Sequence, residues 1–165
     1  MRVLITRPRE DGLATAQILH RNGVRSALEP LFKIYFNQTA PPISPPYQAI
    51  IFTSRSGVKA FGYRFPDIIS APAYCIGEHT FETAQDYGLR AVGIEGDGRD
   101  LIQRLKNDLD PQGGKLFRIV AEGDEDPVTQ QLVELGFAVQ SVALYSAVGV
   151  PSFTRQTVAL MQRNG

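Results

Sequence analysis

The chain has 165 residues, in which 17 lysines and arginines balance 17 acidic residues, and 43% of its residues are hydrophobic. This composition is that of an ordinary globular protein, and it excludes a disordered tail and a nucleic-acid binder that works by bulk charge. The length is sufficient to bury a core, in one domain or two small lobes. No apolar run approaches the roughly 18 residues that a membrane span needs, so we expect no membrane partner.

The beginning of the sequence and its cysteine content predict the cellular compartment. The first residues lead directly into a short apolar stretch, without the hydrophobic region of roughly 7–15 residues that a secretory signal carries. The single cysteine, Cys75, cannot form an internal disulfide. We therefore predict a cytoplasmic protein.

Short β-branched runs alternate along the chain with stretches that carry apolar residues at three- and four-residue spacing. This alternation is typical of an α/β protein with a mainly parallel sheet. The predicted strands cover residues 2–6, 24–28, 49–53, 73–76, 91–93, 116–121 and 138–144. The predicted helices cover residues 10–21, 56–63, 79–87, 99–109, 127–134 and 153–163.

Two further strand-like segments, residues 33–36 and 144–148, flank the middle of the chain and are expected to form a two-stranded connector. We predict two lobes, each with a mainly parallel sheet flanked by helices. The first lobe is discontinuous, with residues 1–34 and 149–165, and the inserted lobe, residues 35–148, includes the connector strands. Four prolines between residues 37 and 47 exclude a helix or a central strand there and predict an extended surface connection.

The first lobe is predicted to be incomplete. An Arg-Asn-Gly sequence ends the first predicted helix and leads into a strand, whereas the same three residue types, Arg163 to Gly165, come last in the sequence. Glycine just after a helix commonly caps it before the chain turns into its next element. Because two strands alone bury too little apolar surface to be stable, we expect this lobe to be loosely held or completed by another chain.

Several kinds of site have weak support in the sequence. The glycine-rich loop at residues 93–100 lacks both nucleotide-binding glycine patterns, and a turn before a capped helix is favoured over an anion site that uses Arg99. His20, His79 and Cys75 have no paired spacing, which makes a metal site improbable. Cys75 lies in an apolar run and is interpreted as a small core residue rather than a reactive thiol.

Hydroxyl side chains lie at the predicted carboxyl ends of strands, where open α/β sheets place their ligand sites. Thr53 and Ser54 end one strand, Thr80 begins the helix after another, and Tyr145 ends the last strand of the inserted lobe. Thr53, Ser54 and Thr80 are equally well explained as helix N-caps. Neutral donors and helix-start amides suit a polyanionic ligand. The aspartate that a phosphorylated receiver domain needs is replaced by Thr53, which argues against that class.

Five segments, in their order and spacing over nearly the whole chain, resemble uroporphyrinogen-III synthases. They are VLITRP at 3–8, EPLFKI at 29–34, IIFTSRSGV at 50–58, YCIGEHT at 74–80 and VALYS at 142–146. The resemblance implies two α/β lobes joined by a two-stranded ladder, with both termini in one lobe. It also implies further elements after the last helix that complete the first lobe, and this sequence does not contain them.

The resemblance implies a lyase that closes linear hydroxymethylbilane into uroporphyrinogen III, with loss of water and inversion of ring D. It implies a monomer that uses no cofactor and no metal and receives its substrate by transient hand-over from hydroxymethylbilane synthase. By position, Tyr145 would be the general acid. Thr53, Ser54, Thr80 and Arg7 would bind the substrate's carboxylates.

One loop departs from the family pattern. An arginine-glycine pair usually follows the strand at 116–121, whereas residues 122–126 contain four acids in five positions. These acids would repel a polycarboxylate, so the loop is expected to face away from the substrate or to lack the usual contact. Arg7, Arg9 and Arg55 are candidates for compensating positive charge. The alternative interpretations are an inactive fragment and a non-catalytic small-anion-binding module on the same scaffold.

Overall fold

The computed structural model describes residues 2–68, 71–124 and 127–162. In chain order its elements are β1 (Arg2–Ile5), α1 (Arg9–Arg21), β2 (Arg25–Leu28), β3 (Phe32–Phe36), β4 (Tyr47–Phe52), α2 (Arg55–Arg64), β5 (Pro72–Ile76), α3 (Glu78–Asp86), β6 (Arg90–Ile94), α4 (Gly98–Asp108), β7 (Lys115–Ala121), α5 (Pro127–Glu134), β8 (Val139–Gly149) and α6 (Arg155–Gln162). The chain divides into two compact units. Unit 1 comprises Met1–Tyr35 and Ala147–Gly165, and unit 2 comprises Phe36–Ser146.

The strands form two sheets. A two-stranded parallel sheet pairs β1 with β2, and a six-stranded sheet has the order β3-β8-β7-β4-β5-β6. From β8 to β6 every neighbouring pair is parallel. The edge strand β3 runs antiparallel to β8, because Asn37 N–H donates to the Leu144 carbonyl whereas Val150 N–H donates to the Leu31 carbonyl. The predicted α/β class with mainly parallel sheets is confirmed.

Helices cover both faces of the six-stranded sheet in unit 2. On one face, Phe61 of α2 and Ala84 of α3 pack in a core with Phe52 of β4. On the other face, Leu101 of α4 and Leu132 of α5 pack in a second core. Because both faces are covered, residues 49–52 of β4 are all buried, which explains their continuous apolar run.

Unit 1 is organised around a buried carboxylate. Glu29 follows β2, and its two carboxylate oxygens accept hydrogen bonds from the Thr154 amide and the Thr154 hydroxyl, each at 2.7 Å. The Thr157 hydroxyl donates a further bond to Glu29, at 2.5 Å. These bonds satisfy donors at the start of α6 and attach that helix to the segment that follows β2.

The predicted elements agree with the structure, with bounds that differ by two residues or fewer where both are described. Residues 138–148 form one strand, β8, rather than two adjoining strands, and Arg163 to Gly165 lie outside the described residues. The proline-rich segment lacks helix and strand between residues 37 and 46, as predicted. It is not wholly a surface connection, however, because Ala40 and Ile43 are buried in the core of unit 2. Within the described ranges, no helix is both long and apolar enough to cross a bilayer.

Candidate functional site

Most of the candidate residues of unit 2 lie at one edge of its sheet. Strands β4, β5 and β7 are parallel and in register, so their carboxyl ends meet at the same edge. Thr53 and Ser54 follow β4, and Thr80 lies in the first turn of α3, just after β5. Tyr145 on β8 pairs with Ala121, the last residue of β7. We call this region, residues 53–57, 77–80, 121–124 and 145, the carboxyl edge.

Ser54 begins α2. Its backbone is extended, and its side-chain oxygen accepts a hydrogen bond from the amide of Gly57 at 3.0 Å. The helix-cap interpretation of Ser54 is therefore correct. The same oxygen lies 2.8 Å from the phenolic oxygen of Tyr145. Ser54 thus links the start of α2 to Tyr145, which is 91 residues away in the sequence.

Tyr145 reaches Ser54 because the pairing of β8 with β7 is irregular. Val120 pairs with Ala143 and Ala121 with Tyr145, so Leu144 is an extra residue in β8. In a regular strand Leu144 and Tyr145 would point to opposite faces. Here both pack against the same core cluster, Leu144 fully buried and Tyr145 partly. The bulge therefore turns the phenol of Tyr145 toward α2.

The two threonines differ in exposure. Thr53 is partly buried, between the end of β4 and Ser54. Thr80 is only 6% exposed, and its amide donates to the carbonyl of Gly77 at 3.1 Å. Gly77, with φ +84°, begins α3 without a side-chain cap. The first turns of α2 and α3 both begin at the carboxyl edge, where helix-start amides attract negative groups.

The basic candidates are separated between the units. Arg7 belongs to unit 1, between β1 and α1, where its side chain is half exposed and lies 3.8 Å from Asp11 and 3.3 Å from the hydroxyl of Thr15. Arg9 is the first residue of α1, and Arg55 is the first residue of α2 in unit 2. Arg55 is therefore the cation among these three that the fold of unit 2 places at the carboxyl edge.

The acidic loop begins at the carboxyl edge. The amide of Glu122 donates to the carbonyl of Tyr145 at 2.7 Å. Asp124 lies 3.5 Å from the guanidinium of Arg118, a side chain that is only 1% exposed in the middle of β7. Part of the loop's negative charge is thus balanced within the protein. The other two acids, Glu125 and Asp126, lie outside the described residues.

Sequence reasoning missed Arg118. It is the only charged residue between Leu116 and Ala121, and that isolation in an apolar strand was the available signal. Its guanidinium also lies 3.4 Å from the hydroxyl of Thr129, which in turn is 3.3 Å from the hydroxyl of Ser141. Arg118 and Ser141 face each other in the β7–β8 pairing. These side chains form a polar network on the sheet face opposite Tyr145.

Two features that the sequence interpreted as structural are structural. Cys75 is fully buried, and desolvation raises the pKa of its thiol to about 12, so it is a core residue. Asp97 caps α4 in a reciprocal arrangement with Asp100, and it also binds the side chain of Arg99 at 2.9 Å. Hydrogen bonds from Arg99 lower the pKa of Asp97. Within the described residues, no group of three or more His, Cys, Asp or Glu is arranged to hold a metal ion.

Comparison with known proteins identifies the family. The family model for uroporphyrinogen-III synthase HemD matches residues 14–164, which is most of the chain. The chain belongs to the uroporphyrinogen-III synthase family. The resemblance noted from the five sequence segments is thereby confirmed. No curated protein sequence matches the chain significantly.

Solved structures of uroporphyrinogen-III synthases share the fold. The chain is similar to the enzyme from Helicobacter pylori 26695, with a TM-score of 0.58 and 18% identity over 83% of this chain and 62% of the other. It is also similar to a mutant of the enzyme from the extremely thermophilic bacterium Thermus thermophilus, with a TM-score of 0.54 and 17% identity over 92% and 64%. The chain thus spans less than two thirds of either relative.

Proposed function

We propose that this chain carries the uroporphyrinogen-III synthase reaction, the cyclisation of hydroxymethylbilane to uroporphyrinogen III with loss of water and inversion of ring D. The proposal makes it a lyase of porphyrin and haem biosynthesis. The observation that carries it is the 2.8 Å hydrogen bond between Ser54 and Tyr145 at the carboxyl edge. This bond joins two of the residues that the family resemblance selects, from segments far apart in the sequence.

Tyr145 is the proposed general acid. Its phenol donates a proton to the terminal hydroxyl of hydroxymethylbilane, which leaves as water and generates an azafulvene cation. Attack on that cation by the substituted carbon of ring D gives a spiro intermediate. This intermediate opens and recloses with the ring inverted, and loss of a proton restores aromaticity and balances the proton that Tyr145 supplied. Because a phenol is a weak acid, positioning of the substrate contributes most of the rate.

The other proposed contacts hold the eight carboxylates of the substrate. Thr53, Thr80 and the first-turn amides of α2 and α3 lie at the carboxyl edge and can donate hydrogen bonds to carboxylates. Arg7 of unit 1 is proposed as a further carboxylate contact. We also propose that the chain acts in the cytoplasm and receives hydroxymethylbilane directly from hydroxymethylbilane synthase, because the free substrate cyclises spontaneously to isomer I.

One observation favours a second candidate, a non-catalytic module that binds small anions. The acidic loop begins next to Tyr145, since the Glu122 amide is bonded to the Tyr145 carbonyl. Negative charge at that point opposes a polycarboxylate substrate more than it opposes a small anion held at a helix start. In this interpretation the carboxyl edge binds an anion, and no cyclisation is catalysed.

The isomer composition of the product tests the two candidates. Hydroxymethylbilane is generated in place by hydroxymethylbilane synthase, the chain is added, and the uroporphyrins formed after oxidation are separated by chromatography. We expect excess isomer III with the native chain and isomer I alone with the heat-denatured chain. Isomer I alone with the native chain would refute the enzymatic proposal and favour the anion-binding module.

A further inference from the structure

The hydroxyl of Ser54 has bonds on two sides. A serine hydroxyl has one hydrogen to donate and two lone pairs that accept. One lone pair accepts from the amide of Gly57 at 3.0 Å. The 2.8 Å contact with Tyr145 uses either the second lone pair or the hydroxyl hydrogen, so Ser54 can accept from the phenol or donate to it. It can change between these two roles without losing its bond to Gly57.

The ring of Tyr145 is confined by its surroundings. The bulge at Leu144 directs it toward α2, and the Glu122 amide binds its backbone carbonyl at 2.7 Å. Gly57 leaves room for both partners, because a Cβ atom there would lie 3.3 Å from the Ser54 oxygen and 3.7 Å from the Tyr145 ring. The sheet and the helix therefore fix the ring, and Ser54 is left to fix its hydroxyl.

We infer that Ser54 is a positioning residue that acts through Tyr145 rather than on a substrate carboxylate. This inference rests on the proposed function. While Tyr145 is protonated, Ser54 accepts from the phenol or donates to it. When Tyr145 gives its proton to the departing hydroxyl, the Ser54 hydroxyl donates its hydrogen to the phenolate oxygen. The Gly57 amide, at the positive end of α2, keeps polarising Ser54 throughout.

This role differs from the one that the family resemblance implies for Ser54. A carboxylate that accepted from Ser54 would compete with Tyr145 for its single hydroxyl hydrogen. The two roles predict different kinetics. Loss of a carboxylate contact weakens substrate binding whether or not Tyr145 has its hydroxyl. Loss of a positioning contact lowers the rate of the chemical step and matters only while that hydroxyl is present.

The test uses substitutions that separate the hydroxyl from the helix cap. Ser54→Gly removes the hydroxyl but retains a residue that is nearly as good at an N-cap, so α2 is expected to form. Ser54→Thr keeps a hydroxyl at the same position. Ser56→Ala removes a hydroxyl two residues further along α2. Circular dichroism of each variant confirms that the fold is retained.

The first readout does not depend on activity. The protein is labelled with 3-fluorotyrosine, and the fluorine resonance of Tyr145 is identified by its absence in Tyr145→Phe. We expect Ser54→Gly to move the Tyr145 resonance, Ser54→Thr to return it toward its original position, and Ser56→Ala to leave it unchanged. A Tyr145 resonance that does not respond to Ser54→Gly would overturn the inference.

The second readout is the rate of isomer III formation. We expect Ser54→Gly to lower kcat about tenfold with little change in KM, which is the effect of one hydrogen bond to a charged group. In the Tyr145→Phe background, Ser54→Gly should cause no further loss. A raised KM, or an equal loss in both backgrounds, would assign Ser54 to substrate binding and overturn the inference. If the unmodified chain forms no isomer III, the proposed function fails, and the fluorine resonances alone decide whether Ser54 positions Tyr145.

Discussion

Glu29 and Thr157 lie 128 residues apart in the sequence and share a 2.5 Å hydrogen bond inside unit 1. With the two bonds from Thr154, this contact gives the Glu29 carboxylate three donors at the start of α6. The bonds from Thr157 and Thr154 stabilise the charged form, so they lower the pKa of Glu29. The ionised carboxylate therefore holds the discontinuous part of unit 1 together.

We predict that Glu29→Gln loosens α6 at neutral pH. A carboxylate whose pKa is lower in the folded state stabilises the fold above its unfolded pKa, and this contribution is lost as the pH falls through the folded value. The amides of α6 should therefore exchange with solvent faster in the variant at pH 7. The difference from the original chain should shrink as the pH falls below about 4.5 and the native carboxyl becomes protonated. Hydrogen exchange followed by mass spectrometry measures both effects.

Glu95→Gln is the matched control for this experiment. Glu95 is exposed between β6 and α4, so its substitution should leave the exchange of α6 unchanged at every pH. Equal exchange of α6 in the original chain and in Glu29→Gln at pH 7 would show that the three hydrogen bonds do not hold the helix.

Cys75 should be unreactive in the folded protein. Its side chain is fully buried and desolvation raises the pKa of the thiol to about 12, so both access and thiolate formation are suppressed at pH 8. We expect no rapid reaction with a disulfide reagent in buffer and one thiol per chain in concentrated denaturant. A thiol introduced by Ser152→Cys in a Cys75→Ala background, at an exposed position, should react at once. Fast reaction of native Cys75 would mean that its part of the core opens readily.

The buried Arg118 gives a prediction in which shape and charge are separated. Arg118→Ala should lower the free energy of unfolding by about 2–5 kcal/mol, because it leaves a cavity in the sheet. Arg118→Met should stay within about 1 kcal/mol of the original chain, since it fills the same space and removes the buried charge. Asp124 is 36% exposed and can be hydrated once its partner is gone. Urea unfolding followed by circular dichroism compares the variants.

The network around Arg118 also supplies the control. In Arg118→Met the hydroxyls of Thr129 and Ser141 keep each other as partners at 3.3 Å, so no buried hydroxyl is left without a bond. If Arg118→Met were as destabilising as Arg118→Ala, the guanidinium and its hydrogen bonds, rather than its volume, would be what the sheet requires.

The sequence was sufficient for the elements and for the edge of the sheet at which the site lies. Apolar spacing is a local property, and it placed β4 at residues 49–53 against the observed Tyr47–Phe52. The carboxyl-edge rule for parallel sheets then placed Thr53, Ser54 and Thr80 together. The family resemblance came from the same segments, because they are the ones that surround this edge.

The contacts within the site could not be predicted, because they depend on a register shift. Regular alternation would put Tyr145 on the face opposite Leu144, away from α2. The bulge that reverses this arises from the pairing of β8 with β7, which is a tertiary property. The same is true of Glu29, whose partners lie more than 100 residues away, and of Arg118, whose burial depends on α5 packing above it. A prediction from local sequence has no access to such pairings.

Tyr145→Phe tests the proposed acid most directly. The substitution removes one oxygen and keeps the ring that packs beside Gly57, so the fold should be unchanged. We expect the rate of isomer III formation to fall about 100-fold, the lower end of what a general acid contributes, and by more than for any other single substitution. Tyr87→Phe is the matched control, because Tyr87 is exposed at the far end of α3 and should retain the original rate. Full activity of Tyr145→Phe would exclude the phenol as the proton donor and leave the helix-start amides as the principal groups at the carboxyl edge.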